Sequence, residues 1–446
     1  MAEDFRDLTE RVGFLHNAET HEQIGAGRLD LSARAITFEM PVDEDVTTKL
    51  GLSRFPKSDE ELSERFVFRD RHGKVGLGRC HLRSSTSNWG GGLPGWVRLD
   101  AQYAVEIGAL DQDYWAVNGL RTEIAGLAAW TGLSSVTTKT ETGEHGLIKG
   151  VTQNAVSGEP IEIGTPYGLS MYPYFSSKES RANGRYTLTE KTFVQTKTED
   201  AIPWEEHVPA HQSVQDLIVL AYWSPCGLQV ASVGNDRYPL TFPGSDQRIA
   251  DKWREVIATW GGRGNWETPM ELPTDKSVLF HMGDLGVHNV RRWIEESEDW
   301  LRIVGPLTSS QFQKNPPIEA KFMQIAVAIE GLGYRIGKEQ GLINDRKTSL
   351  DFPKYLKLIH ESLDCSVETV LEGSPGNGIS AFADFSSWAE AFNKTYKEAK
   401  HADHPLPDYV RAWVLAESGA LLVRLWLARH FGVERERLEQ NAKYLR

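Results

Sequence analysis

The chain has 446 residues, a formal net charge of −13 and the apolar content of a folded globular protein. This length predicts two or three domains, and the acidic balance argues against a general nucleic-acid coat, so any nucleic-acid contact must be a local basic patch. The three cysteines stand far apart in the sequence, which argues against a disulfide framework or a cysteine-built zinc site and favours a reducing compartment.

The sequence carries no signal for a membrane or for secretion. The first residues, Met1–Phe5, are acidic and lack the apolar core of a signal peptide. The longest apolar runs, Leu217–Trp223 and Leu421–Ala428, are too short to span a bilayer. We therefore expect a cytoplasmic protein that has no membrane partner.

The first half of the chain, to about Leu240, alternates apolar and polar residues over short segments that Gly, Asn, Asp and Pro separate. Strands are predicted at Leu29–Leu31, Ile36–Met40, Phe66–Arg69, Val97–Val105, Ile161–Ile163, Leu169–Tyr174, Tyr186–Lys197 and Leu228–Val233. One helix is predicted between them, over Val214–Trp223. Many short strands with frequent turns indicate a sandwich-like β-rich region.

From about residue 246 the apolar residues recur with the period of a helix. Helices are predicted over Gln247–Trp260, over Leu285–Leu301, from Pro316-Pro317 to near Gly331 and Gly333, after Asp351, up to His401, and from Asp408 to about Phe431. The predicted fold class is α+β, with a β-rich domain at residues 1–260 and an all-α helical bundle at residues 274–446.

The helix that ends near His401 places a histidine among lysines in an otherwise acidic chain. Imidazole can both accept and donate a proton near neutral pH, and RNA cleavage needs a base, an acid and positive charge beside the phosphate. Lys394, Lys397 and His401 have the spacing of residues that share a helix face. The alternative interpretation is a solvated helix end, where the helix dipole favours Lys and His.

A metal site is a second interpretation of the same place. His401, Asp403 and His404 are possible ligands for zinc or manganese, and His360 could lie near them. Neighbouring residues of one loop rarely converge on one ion, so we expect neither a metal nor a cofactor. The glycine-rich segment Asn88–Trp96 lacks the Lys-Ser/Thr pair of a phosphate-binding loop and is interpreted as a hairpin or a ligand-gating loop.

Four stretches follow one another in a familiar order: Gly25–Leu31, Trp115–Gly132, Ser213–Ile218 and Phe392–Pro407. They comprise a Gly-led strand, a segment that ends in Leu-x-x-Trp, a short helix and a late helical segment. Together they resemble the ApeA-type anti-phage proteins, in which a β-rich N-terminal domain precedes a C-terminal HEPN helical domain. The resemblance spans nearly the whole chain.

The resemblance implies a metal-independent endoribonuclease whose site is an Arg–x4–6–His motif and whose cleft forms between two protomers. His401 would be the motif histidine, and the positions for the arginine hold Lys394, Thr395 and Tyr396. Lysine lacks the bidentate fork of arginine, so Lys394 or Lys400 would replace it or the site would be weakened. A second Arg–x5–His spacing, Arg424 to His430, is interpreted as chance.

The predicted site consists of three catalytic residues, His401, Lys394 and Lys400, and three substrate-binding residues, Lys397, His404 and Arg411. The expected partners are RNA, with tRNA as one candidate target, a second copy of the chain and a phage-derived trigger. The β-rich domain would sense that trigger or restrain the nuclease, and RNA cleavage would arrest the infected cell, as in abortive infection. The alternatives are a non-catalytic RNA-binding or dimerisation protein with a degenerate HEPN site, and a carbohydrate-binding sandwich with a helical appendage.

Overall fold

The computed structural model describes residues 5, 9–32, 35–42, 65–86, 95–180, 184–242, 244–245, 247–259, 262–264, 268–273, 276–343, 350–366 and 382–445. The strands in these residues are β1 Glu10–Asn17, β2 Gln23–Leu31, β3 Ile36–Val42, β4 Arg65–Asp70, β5 Gly73–Gly78, β6 His81–Thr86, β7 Gly95–Ala101, β8 Tyr103–Ile107, β9 Ala116–Ile124, β10 Val136–Thr142, β11 Ile148–Ala155, β12 Ile161–Gly164, β13 Leu169–Ser180, β14 Arg185–Pro203, β15 Leu228–Gly234, β16 Leu240–Thr241, β17 Arg248–Ala250 and β18 Trp253–Ala258. The helices are α1 Leu127–Thr131, α2 Trp204–Tyr222, α3 Met282–Glu295, α4 Ser297–Phe312, α5 Ile318–Glu339, α6 Phe352–Ser362, α7 Phe385–Lys400, α8 Tyr409–His430 and α9 Arg435–Ala442.

Fourteen of the described strands pair in one antiparallel order, β12-β13-β14-β9-β15-β18-β8-β5-β4-β1-β2-β3-β7-β6. Strand β18 joins the two halves of this sheet because it pairs with β15 on one side and with β8 on the other. The half that contains β1 to β8 buries its own apolar cluster, with Leu15, Phe38 and Phe68 at its centre. The pairs β10–β11 and β16–β17 form separate two-stranded ribbons.

Helix α2 lies on one face of the other half of the sheet, and the C-terminal helices pack around it. One apolar cluster contains residues of β9 and β14, of α2 and of the helices from α3 to α9. Trp293 in α3 donates from its indole nitrogen to the backbone oxygen of Ser213 in α2 at 2.9 Å. The division into domains at 1–260 and 274–446 stays a prediction, and this cluster contains residues from both ranges.

The C-terminal end of α2 is held by the buried side chain of Arg424 in α8. Its Nε donates to the backbone oxygen of Leu220 at 2.6 Å, and its Nη2 donates to that of Ala221 at 3.2 Å. The last carbonyl groups of a helix lack intrahelical donors and carry the negative end of its dipole, so a cation there is stabilised. Burial still lowers the pKa of Arg424, to about 9.

The α+β order of the chain is confirmed, with the large antiparallel sheet followed by helices from Met282 onward. The helix predicted over Gln247–Trp260 is wrong, because its described part forms β17 and β18. Residues of β18 pair with β15 and β8, and these long-range backbone hydrogen bonds outweigh the local helical period. Among the described residues, no helix has both the length and the apolarity needed to cross a membrane.

Three other helix boundaries differ from the prediction. Helix α2 begins at Trp204, ten residues before the predicted start, and it continues through Pro209, which removes one backbone donor without ending the helix. The single helix predicted over Leu285–Leu301 is two helices that meet at Glu296.

Helix α5 also continues past Gly331 and Gly333, to Glu339. A Cβ atom added at Gly333 would lie 2.4 Å from the Cβ atom of Tyr355 in α6. Glycine is therefore needed at this position for the close approach of two helices, and it does not mark a helix end.

Candidate functional site

Helix α7 carries the predicted site at its C-terminal end and is fixed to the core by its apolar face. Trp388 and Phe392 on that face are buried, and the indole nitrogen of Trp388 donates to the hydroxyl of Ser418 in α8 at 2.9 Å. The ring of Phe392 lies so close to α8 that a Cβ atom at Gly419 would be 2.6 Å from it. The predicted end of this helix is confirmed, because Lys400 is its last residue and His401 its C-cap.

His401 is exposed, and its ring makes no hydrogen bond or ion pair with the residues that the structure describes. The backbone nitrogen of His401 donates to the backbone oxygen of Lys397 at 3.0 Å, and its backbone oxygen accepts from the backbone nitrogen of His404 at 3.1 Å. This turn brings the two imidazoles together, with ring centroids 6.0 Å apart. His404 is exposed as well, so both rings are available to a ligand from solvent.

The three lysines of α7 are exposed, but they differ in their partners. Lys394 forms an ion pair with Glu398, with 3.8 Å between Nζ and Oε1. Lys400 donates to the hydroxyl of Tyr396 at 3.0 Å, and this hydrogen bond raises the pKa of the lysine. Lys397 has no ion pair with the described residues. Of the three lysines, Lys397 therefore has the charge that is most available to an anion.

The next helix, α8, begins beside this turn. The carboxylate of Asp408 caps it by accepting from the backbone nitrogen of Arg411 at 2.8 Å, as the sequence predicted. The side chain of Arg411 is exposed and makes no ion pair with the described residues. Exposed apolar side chains surround the start of the helix: Leu406, Tyr409 and Val410 are 79%, 64% and 44% exposed.

The structure does not assemble the four-residue metal site considered from the sequence. Within the described ranges, no three His, Cys, Asp or Glu side chains come close enough to hold an ion. His360 stacks on Phe385, with ring centroids 4.0 Å apart, at the first residue of α7. His401 follows the last residue of that helix, about 24 Å away at the rise of an α-helix.

Arg424 and His430, the second Arg–x5–His spacing, both have packing roles. Arg424 is buried against the end of α2, as described above. The ring of His430 stacks on Trp426 at 5.0 Å and lies 2.7 Å from Nη2 of Arg292 through its Nε2. Burial lowers the pKa of His430, which favours the neutral ring in this place. Residues 88–94 of the glycine-rich segment lie outside the described residues.

Sequence reasoning missed a second histidine pair, His207 and His211 in α2, although its i, i+4 spacing was a visible signal. Both rings are fully buried against β9 and β14. The hydroxyl of Thr196 contacts Nδ1 of His207 at 2.9 Å and Nε2 of His211 at 3.0 Å. Thr122 contacts Nδ1 of His211 at 2.8 Å, and the backbone oxygen of Val117 accepts from His207 at 3.1 Å. All four ring nitrogens are thus satisfied, which indicates a structural pair.

One comparison with known proteins gives a match. Residues 44–255 match the family described as ApeA N-terminal domain 1. The matched residues include α2 and most of the sheet, and they end before α3. No curated protein and no solved structure matches the chain. Two of the four resembling stretches, Trp115–Gly132 and Ser213–Ile218, lie inside the match, which supports an ApeA-type protein.

Proposed function

We propose that the chain is an anti-phage defence protein whose helical region is a HEPN-type endoribonuclease. The observation that carries this proposal is the exposed pair His401 and His404, which lies beside unpaired cations in a chain that matches ApeA N-terminal domain 1. The β-rich region would sense a phage-derived trigger or restrain the nuclease. Cleavage of RNA, with tRNA as one candidate, would arrest the infected cell, and the protein would act in the cytoplasm.

The two imidazoles supply the acid and the base of the proposed reaction. His401 would accept the proton of a ribose 2′-hydroxyl, and that oxygen would attack the adjacent phosphorus. His404, protonated, would give its proton to the departing 5′-oxygen as the P–O5′ bond breaks. The products would be a 2′,3′-cyclic phosphate and a free 5′-hydroxyl. Lys397 and Arg411 would stabilise the negative charge that develops on the phosphate oxygens.

We propose a smaller role for Lys394 than the sequence predicted. Its ion pair with Glu398 places a carboxylate beside the lysine, and that carboxylate would repel RNA. Lys397 has no such neighbour among its described contacts, so it is the better candidate for the charge that an arginine supplies in the family motif.

A homodimer is the proposed active form. The exposed side chains of Leu406, Tyr409 and Val410 lie in the same turn and helix start as the two histidines and would be covered by a second copy. Leu406→Glu should therefore convert the dimer to a monomer in light scattering and should reduce RNA cleavage with it.

The direct test is incubation of the purified protein with total RNA, with and without a chelator. The proposal expects chelator-insensitive cleavage that leaves 2′,3′-cyclic phosphate ends, and its loss in His401→Ala. Chelator-sensitive cleavage would contradict the proposed mechanism. His288→Ala, which changes an exposed histidine of α3, is the matched control and should retain full activity.

The second candidate is a non-catalytic protein that binds RNA or dimerises through a degenerate HEPN site. The ion pair between Lys394 and Glu398 favours it, because a neutralised lysine stands at the x6 position of the motif arginine. A gel-shift assay separates the two candidates. RNA that is retarded and remains intact would indicate the binding protein.

A further inference from the structure

The sheet carries a groove on the face opposite α2. Thr122 and Thr196 point toward α2, where they contact the buried histidines, so the alternate residues of β9 and β14 point the other way. Arg121, Lys191 and Phe193 are on this outer face, and they line a cavity of about 1010 Å³ together with residues of β13, β15 and β18.

The floor of this groove is the indole of Trp253, which lies on Gly119 and Gly234. Gly119 of β9 pairs with Gly234 of β15, which in turn pairs with Trp253 of β18. A Cβ atom at Gly119 would lie 2.6 Å from the indole, so only glycine leaves space for the ring. The guanidinium of Arg121 lies over this indole, 3.8 Å from a ring centroid, and its Nε donates to Oε1 of Gln195 at 2.8 Å.

Arg121 is a fixed cation that makes no ion pair with the described residues, although the carboxylate of Asp251 acts on it from the edge of the groove. Its side chain is half-buried, and no carboxylate of the described residues lies within ion-pair distance of it. Burial lowers the pKa of Arg121 to about 10, so the side chain stays charged at neutral pH. Tyr172 and Phe193 also face its guanidinium, at 5.0 and 5.7 Å. A partly desolvated charge of this kind is stabilised when an anion binds to it.

The charges of the groove are four cations, Arg121 included, and three carboxylates, of which Glu255 of β18 is exposed at one edge. Lys178 and Arg185 on the β13–β14 hairpin are exposed, and neither makes an ion pair with the described residues. The carboxylate of Glu123 is paired with Lys191 at 2.8 Å. The carboxylate of Asp251 is paired with two cations outside the groove lining, Lys197 and Arg248.

We propose that this groove binds a phosphate-bearing ligand of nucleotide size, with Arg121 as its anchor. Nε of Arg121 already donates to Gln195, so the two Nη groups remain for two phosphate oxygens, which is the bidentate contact that arginine makes.

The groove also offers contacts for the rest of such a ligand. Hydroxyls of Ser176, Thr187 and Thr189 line the same space and suit the other oxygens. Tyr174, 40% exposed in the groove, offers a ring on which a base can stack. The site is separate from His401 and does not depend on the nuclease proposal.

Titration calorimetry with two probes tests this site and distinguishes the sources of the phosphate. The probes are ATP and a 5′-phosphorylated single-stranded tetranucleotide, added to the full chain that carries His401→Ala to prevent cleavage. We expect saturable binding of at least one probe to one site per chain. Tighter binding of ATP identifies a free nucleotide, and tighter binding of the tetranucleotide identifies the end of a strand.

Two groove variants and one control complete the test. Arg121→Met keeps an apolar stem on Trp253 and removes the fork, so we expect at least tenfold weaker binding. The double variant Lys178→Glu, Arg185→Glu changes only exposed side chains and should weaken binding at least threefold. It tests the groove even if Arg121→Met does not fold. Arg28→Met, on the other half of the sheet, should bind like the parent chain. Binding of neither probe to the parent chain, or equal binding by the folded groove variants, would overturn the proposal.

Discussion

The two histidine pairs of the chain have opposite environments. His207 and His211 are fully buried. Three of their four ring nitrogens contact a threonine hydroxyl, and the fourth contacts a backbone oxygen. His401 and His404 are exposed, and their ring nitrogens make no hydrogen bond with the described residues. A buried polar group whose partners are complete stabilises the fold, and an exposed one without partners can exchange protons with a ligand.

Spacing in the sequence does not separate the roles of the two histidine pairs. The i, i+4 pair in α2 has the spacing of a metal site, yet two threonine hydroxyls and a backbone oxygen already contact its ring nitrogens. The pair at the end of α7 has poorer spacing for a metal, but it has space around it. Solvent access and free ring nitrogens therefore distinguish the candidate site from the core better than spacing in the sequence does.

The largest effect on stability is expected at His211. His211→Ala leaves the hydroxyls of Thr122 and Thr196 buried without this partner, which should lower the free energy of unfolding by about 2–4 kcal/mol. Urea denaturation followed by tryptophan fluorescence measures this change. An unchanged denaturation midpoint would show that the network does not stabilise the fold and would remove the contrast between the two pairs.

The pH dependence of stability should come from the buried pair. Burial lowers the pKa of His211 to about 3 and also lowers that of His207. Between pH 6.5 and 3 the unfolded chain therefore binds a proton that the folded His211 does not, and His207 acts in the same direction, so stability is lost as pH falls below 6.5. The slope from His211 is about 1.4 kcal/mol per pH unit at most. His211→Gln should make the slope shallower.

The lysines of α7 offer a sharper test of the exposed pair. Lys397→Ala should reduce RNA cleavage about tenfold because it removes the unpaired charge beside His401. Lys394→Ala should have a smaller effect, since Glu398 neutralises that lysine. Lys357→Ala is a matched control, because Lys357 in α6 forms a similar ion pair with Glu361, at 3.5 Å. Equal losses in all three variants would indicate a nonspecific effect of charge.

The smallest effect is expected on the stability of variants of the exposed pair. His401→Ala and His404→Ala each remove a ring that packs on little else, so the free energy of unfolding should change by less than about 0.5 kcal/mol. Thermal unfolding by circular dichroism is sufficient to check this. A loss comparable to that of His211→Ala would mean that the exposed pair is also part of the scaffold.

The helical elements around the proposed site could be predicted because their signals are local. Asp408 caps α8, and the prolines after His401 oppose continuation of α7, so both boundaries follow from nearby residues. Strand β18 could not be predicted, because its conformation depends on β15 and β8, whose residues are distant in sequence. The same limit applies to the groove, where Arg121 and Trp253 meet only after the sheet has formed.

If His401 transfers protons in RNA cleavage, its removal must slow the reaction, and cleavage rates measure this. The rate for purified His401→Ala is measured against the parent chain and His288→Ala, with folding checked by thermal unfolding. We expect a rate at least about 100-fold lower than that of either reference, with an unchanged melting temperature. Cleavage at the parental rate by a folded His401→Ala protein would contradict it.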